Sequence, residues 1–280
     1  MTKGKKFIAP GAWFSINYPA DWHEFEGGEE SFLFYNPDDW DGNFRISAFR
    51  GEHADYGQEI VNEELKRSKR AQAVIVGDLP CAYSCEVFTE DGEAYENHQW
   101  VTGIGDVAIE VSFATSQGAS IRKAQEVIAS LELRYPGVKY HAETIPVRLM
   151  EIYQIDEAYD WVQTEIKKQL KRDFRGEESD IQNMQRIIDN GSLNPRKRDA
   201  WIALGITLCV ILANEVDGVE WMTLIDGSRE VPVLLNTANG KTIDPMKLVW
   251  SKVKNGEPIN LVETYEHILY WLLLLIPFYR

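Results

Sequence analysis

Basic residues are scarce in this chain: 29 Lys and Arg stand against 44 Asp and Glu, for a net charge of -15. Affinity for a phosphate backbone comes from cations that displace condensed counterions, so nucleic acid is a poor partner for a protein of this charge. Cysteine is scarcer still. Cys81, Cys85 and Cys209 are an odd set that disulfides could not use up, which suits a reducing compartment. Long apolar runs are missing too. The two best, residues 201–213 and 268–279, fall short of the ~20 residues that a bilayer-spanning helix needs, so no membrane span is expected. Both read as buried helices, the second central to the core of its half. Residues 1–6 are basic like the head of an export signal, but Pro10, Gly11, Ser15 and Asn17 break up the apolar stretch after them. Export is not indicated, and a cytoplasmic location is expected.

Sequence motifs for chemistry are also lacking. The histidines, His23, His53, His98, His141 and His267, are scattered, and none belongs to an H-E-x-x-H pattern. Cys81 and Cys85 are four apart on an expected strand, which puts them on one face without the two-residue gap of a zinc knuckle; they read as core cysteines. The acidic turn from Asp38 to Asn43 resembles a calcium loop only superficially. Aligning Gly42 with the loop glycine puts Pro37 at the first ligand position and Ala48 where a bidentate Glu belongs. Gly103-Ile104-Gly105-Asp106 lacks the third glycine and the following helix of a dinucleotide fingerprint, and neither a phosphate loop nor a G-x-S-x-G elbow occurs. Lys66-Arg67-Ser68-Lys69-Arg70 reads as the solvated end of a helix, where cations suit the dipole. No catalytic residue, metal ligand or cofactor is assigned.

What is present is enough apolar residue to fold two domains. A chain of 280 residues exceeds the usual domain size of roughly 100–200. The boundary is expected at 140, where Tyr135-Pro136-Gly137 and a polar stretch interrupt the pattern, giving domains 1–140 and 141–280. The first holds 13 basic and 23 acidic residues, a net -10, which leaves -5 for the second. Residues 14–18, 31–36 and 44–49 alternate apolar with polar side chains, as half-buried strands do. Next come a helix over 57–70 and a meander over 81–89, 93–102 and 107–114, closed by a helix over 120–131. Beyond 140 the period becomes helical: Ala158, Val162, Ile166 and Leu170, then Ile181, Met184 and Ile187. Ser179/Gln182 and Asn260/Glu263 suggest capping boxes, and Asn194-Pro195 a helix start. A hairpin turning at Asp226-Gly227 and a helix from Asp244-Pro245 to Asn255-Gly256 complete an α+β chain, its second half mostly helical.

Nine tryptophans are present, and all but one lie in or beside expected elements. Trp40 is the exception. It sits in a turn among Asp38, Asp39 and Asp41, either as an anchor for a partner or folded back onto its own domain. These four residues form the candidate protein-binding site.

The segment Phe14-Ser15-Ile16-Asn17-Tyr18-Pro19-Ala20-Asp21-Trp22 resembles the opening of PsbP-like and DcrB-like domains, whose first strand ends in a Tyr-Pro-x-x-Trp corner. The resemblance spans residues 7–133 and implies an antiparallel sheet flanked by helices, with no catalytic residue carried over. Such families include secretion-associated chaperones that hold hydrophobic segments of partners. In the second half, Ala203-Leu204-Gly205, Trp221, Asp244-Pro245 and a final helix with Tyr265 resemble a bacterial domain that follows such modules. The expected function is that of a non-catalytic cytoplasmic protein-binding module: an adaptor, chaperone or immunity-type factor. The alternative is an enzyme or small-ligand binder with its site in a cleft between the two domains.

Overall fold

Alternation of apolar and polar side chains builds the first of the two units, Met1–Tyr140 and His141–Arg280, into which the chain divides. The computed structural model describes residues 4–27, 30–135 and 138–273. In the first unit β1 (Lys5–Ile8), β2 (Phe14–Tyr18), β3 (His23–Gly27), β4 (Ser31–Tyr35) and β5 (Asn43–Arg50) precede helix α1 (Tyr56–Arg67). Then come β6 (Gln72–Val76), β7 (Leu79–Glu90), β8 (Glu93–Ile104), β9 (Val107–Ser116), α2 (Arg122–Ala129) and β10 (Glu132–Leu133). Among the described residues, β3-β4-β5-β9-β8-β7-β6 form one antiparallel sheet of seven strands, and β1-β2-β10 a second of three.

An aromatic core joins the two sheets. Phe7 of β1 packs at 4.8 Å and 5.2 Å on Phe32 and Phe34 of β4, and α2 adds Ala124, Val127 and Ile128 to the same cluster. The other face of the large sheet is covered by α1, whose Val61 meets Ala82 and Val101. This is an antiparallel sheet flanked by helices. Strand β2 belongs to the small sheet rather than the large one. Pro19 has no N–H to continue a ladder, the Trp22 amide closes a turn on the Pro19 carbonyl at 3.1 Å, and the fully buried Trp22 ring lies against Phe44 and Phe113. The glycines of the Gly103-Ile104-Gly105 stretch serve packing. Gly57 at the start of α1 donates to the Gly105 carbonyl at 3.0 Å, and a Cβ on Gly103 would lie 2.0 Å from the Gly57 carbonyl oxygen.

The second unit comprises β11 (Glu143–Pro146), α3 (Leu149–Leu170), α4 (Ile181–Asp189), α5 (Arg198–Glu215), β12 (Val219–Asp226), β13 (Arg229–Asn236), β14 (Thr242–Ile243), α6 (Pro245–Leu248), α7 (Trp250–Asn255) and α8 (Leu261–Leu273). Strands β11-β12-β13-β14 make an antiparallel sheet. Helix α5 is buried almost all round, from Trp201 to Leu212, so the first apolar run is a core helix. Among the described residues no helix is long and apolar enough to cross a membrane.

Several local expectations shift. Asn194 accepts from the Arg196 amide and closes a turn ahead of α5 rather than capping it. The reciprocal capping box is Glu177/Asp180, because the buried Asp180 carboxylate is already committed to the amides of Arg175, Gly176 and Glu177. The helix beginning at Pro245 breaks at Val249 into α6 and α7. Helix α8 buries Leu261, Tyr265 and Leu272 but leaves Tyr270 69% and Trp271 44% exposed, so only one face is core. Its Leu272 carbonyl accepts from Asn236 and Asn239. Residues 274–280 of that apolar run, and Pro136-Gly137 at the boundary, lie outside the described residues.

A buried ion network pins the start of α3 to the hairpin of β12 and β13. Arg148 is 2% exposed, and its guanidinium donates to Glu151 at 2.9 Å and 2.5 Å and to Glu230 at 2.7 Å. Thr223 of β12 donates to Glu151 at 3.0 Å. Burial opposes the Arg148 charge, but Glu151 and Glu230 outweigh it and hold its pKa above the ordinary value.

Two substitutions check this account. Gly103→Ala drives a methyl group into the α1 backbone and is expected to destabilise by about 2 kcal/mol or more in urea denaturation, within the usual range for overpacking. Arg148→Met leaves Glu151 buried beside no cation, for an expected loss of about 3–5 kcal/mol.

Candidate functional site

The longest hairpin in the first unit positions the groups that carry chemistry. Strands β7 and β8 turn at Asp91-Gly92, where φ is 51° and 87°, the positive values that a two-residue primed turn requires. That turn sets the register: Tyr83 opposes Trp100, Cys85 opposes His98, Val87 opposes Glu96 and Phe88 opposes Tyr95. Side chains alternate across a strand, so Tyr83, Cys85, Glu96, His98 and Trp100 share the face that continues from the main core, and Phe88 and Tyr95 share the other.

On the core-side face a thiol, a carboxylate and an imidazole converge. One ligating atom each from Cys85, Glu96 and His98 lie within 4.8 Å of one another. His98 is 5% exposed, and its ring lies beside those of Tyr83 and Trp100, roughly parallel to both at about 6 Å. Its Nδ1 shares a hydrogen bond of 2.8 Å with the Tyr83 hydroxyl. Its Nε2 is 3.3 Å from Glu96 Oε2 but makes no hydrogen bond. Burial holds the imidazole below its ordinary pKa against the opposing pull of Glu96, so the ring is neutral at neutral pH. Burial also pushes the Cys85 thiol up, with Glu96 adding to the rise. The thiol is therefore protonated rather than a poised nucleophile. Sequence reasoning missed this trio because the residues follow no metal-binding spacing. The one available signal was symmetry: Cys85 and His98 are equidistant from Asp91-Gly92, so a two-residue turn there makes them face each other.

The residues singled out from sequence separate into two groups. Trp40 is 41% exposed, donates from Nε1 to Asn43 at 2.9 Å and meets the Tyr95 ring edge-on at 6.1 Å. Tyr95 in turn stacks on Phe88, itself 39% exposed, at 5.5 Å. Trp40, Tyr95 and Phe88 thus form one aromatic patch on the outer face of the sheet. The exposed Asp38 and Asp39 are held by their amides on the Asn36 side chain. Asp41 turns inward. It accepts from the indole of the buried Trp22 at 3.1 Å and pairs with Lys123, which also reaches Asp21 at 3.3 Å. The Asp41 hydrogen bond raises the Lys123 pKa above its ordinary value.

The second unit contains an open cleft of about 510 Å³ against α3 and α5, with Glu157, Trp161, Arg198, Asp199 and Met246 among its walls. This volume is within the range of ~300–1,000 Å³ usual for small-molecule pockets.

Known proteins match nearly the whole chain. The domain of unknown function DUF3805 matches residues 2–156, and the domain of unknown function DUF3806 matches residues 180–265. A crystal structure from Bacteroides thetaiotaomicron VPI-5482 is 57% identical, covers 96% of this chain and 99% of that chain, and superposes with a TM-score of 0.93. The solution structure of cyanobacterial PsbP from Synechocystis sp. PCC 6803 is 13% identical over 48% of this chain and 94% of that chain, with a TM-score of 0.25. LpqN, described as involved in cell envelope biogenesis of Mycobacterium tuberculosis, is 12% identical over 47% of this chain and 86% of that chain, with a TM-score of 0.31. No curated protein matches.

The split among the four turn residues is open to measurement by thermal or urea unfolding. Asp41→Ala strands the buried indole N–H of Trp22 and is expected to lower stability by about 1–3 kcal/mol. Asp38→Ala and Asp39→Ala, at exposed positions, should stay within about 0.5 kcal/mol of wild type.

Proposed function

We propose that this chain, which belongs to the family of the domain of unknown function DUF3805, is a non-catalytic cytoplasmic protein-binding module of adaptor, chaperone or immunity type. It takes a basic segment of its partner on the patch of Trp40, Tyr95 and Phe88. The observation that carries this reading is the patch itself: the turn residue Trp40 and the strand residue Phe88 both meet the Tyr95 ring, and both are more than a third exposed. Aromatic side chains supply large rigid contact area and dominate interface hot spots. The charge around them selects the partner. Asp38 and Asp39 precede Trp40, and the exposed Glu90 and Glu93 are paired two positions beyond Phe88 and Tyr95 on the same face. A Lys or Arg side chain there meets both carboxylates and the faces of electron-rich rings.

The test is fluorescence titration of the full chain with two peptide sets of equal apolar content, one rich in Lys and Arg and one rich in Asp and Glu. Basic peptides should bind, more weakly as salt rises. Trp40→Ala combined with Phe88→Ala should lower affinity about 10-fold or more, equivalent to ~1.4 kcal/mol. Equal binding of both sets, or affinity untouched by the double substitution, would show that the patch is not a docking site.

A further inference from the structure

We propose that Cys85, Glu96 and His98 form a binding site for one divalent transition-metal ion of the zinc class. The donor set is the first argument. A thiolate, an imidazole nitrogen and a carboxylate oxygen are the three ligand types that zinc takes, and a tetrahedral ion holds its ligands roughly 3.3–3.8 Å apart. The three ligating atoms already lie within 4.8 Å of one another, so small side-chain rotations close the shell. The two strands supply them from directly opposed and neighbouring positions of one ladder, a rigid platform.

The second argument is the state of His98. A buried imidazole nitrogen without a hydrogen bond is destabilising by about 1–3 kcal/mol, and a residue present only to pack beside Tyr83 and Trp100 need not carry one. Nε2 is that nitrogen, 95% of its residue is shielded, and the nearest charge is Glu96. The Tyr83 hydroxyl, 2.8 Å from Nδ1, is the outer partner that metal-binding histidines usually have: with the metal bound, Nδ1–H would donate to it and Nε2 would offer its lone pair to the ion. Binding displaces the thiol proton of Cys85 to solvent, and the ion takes its place. Three protein ligands leave a fourth position for water or for a donor from a partner. The other two cysteines are excluded from the set. Cys81 lies four residues away along β7 and is buried in the core, and Cys209 belongs to the second unit.

The full chain, freed of metal by chelator and kept reduced, is titrated with Zn²⁺ by equilibrium dialysis and with Co²⁺ by absorption. Wild type should bind one equivalent of Zn²⁺, gain several degrees in Tm, and give with Co²⁺ a thiolate-to-metal charge-transfer band. Cys85→Ser should abolish that band, and Cys85→Ser and Glu96→Gln should each weaken Zn²⁺ binding at least ~10-fold. Tyr83→Phe should weaken it ~10- to 100-fold with the band retained. Cys81→Ser should change neither. Circular dichroism identifies any variant that fails to fold, and Glu96→Gln, a near-isosteric change at a partly exposed position, keeps the test valid if others do. A wild-type protein that binds no stoichiometric ion, or binding that persists undiminished in folded Cys85→Ser and Glu96→Gln, overturns the proposal.

Discussion

The register of β7 on β8 is the constraint on which the first unit depends. Side chains alternate with a period of two, so a slip of β7 by one residue against β8 would send Tyr83 and Cys85 out of the core face and bring Phe88 into it. Several features prevent the slip. The Asp91-Gly92 turn fixes the end of the ladder, Trp100 and Cys81 are buried in the aromatic core, and Ala82 and Val101 are held on the opposite face by α1. Gly57 and Gly103 touch backbone to backbone, which locks the far end of β8 against that helix. The chemistry-bearing trio and the aromatic patch are both consequences of this one alignment.

The two units achieve stability by different means. In the first, rings from two sheets interlock, and burying aromatic surface is the main driving force. In the second, an almost wholly buried α5 supplies the apolar centre, while Arg148, Glu151, Glu230 and Thr223 specify how the start of α3 meets its hairpin. A buried ion network adds little net stability over apolar packing, but it allows few alternative arrangements. Both devices agree with the sequence: the aromatics of the first half sit at alternating positions, and the apolar run of α5 shows no polar face.

Long, strongly patterned elements were legible from sequence. The hairpin β7–β8, strands β4, β5 and β9, helices α1 to α5 and the hairpin β12–β13 all arise from periodicity and turn residues. Edge strands were not. In β3, His-Glu-Phe-Glu-Gly has one large apolar residue, and β6 exposes Ile75 at 77%, because an edge is held by a single neighbour and buries less. The placement of β2 in the small sheet with β1 and β10 could not be read either, since local pattern fixes a strand but not its partner. Asp41 illustrates a further limit. Its position in an acidic turn suggested solvent, and only the fold reveals that a buried indole and Lys123 converge on it.

The candidate metal trio was hidden for a related reason. Sequence motifs detect ligands that lie close along a helix or loop, whereas a hairpin brings together residues that are mirror images about its turn. Cys85 and His98 are far apart by any linear motif and directly opposed in the ladder. The same geometry joins the two faces of the hairpin. The Val87–Glu96 pair, on the trio's face, is immediately followed by the Phe88–Tyr95 pair on the patch's face. An ion bridging β7 to β8 at Cys85 and Glu96 restrains the strand ends that carry Phe88 and Tyr95, and a restrained surface loses less conformational entropy when it binds.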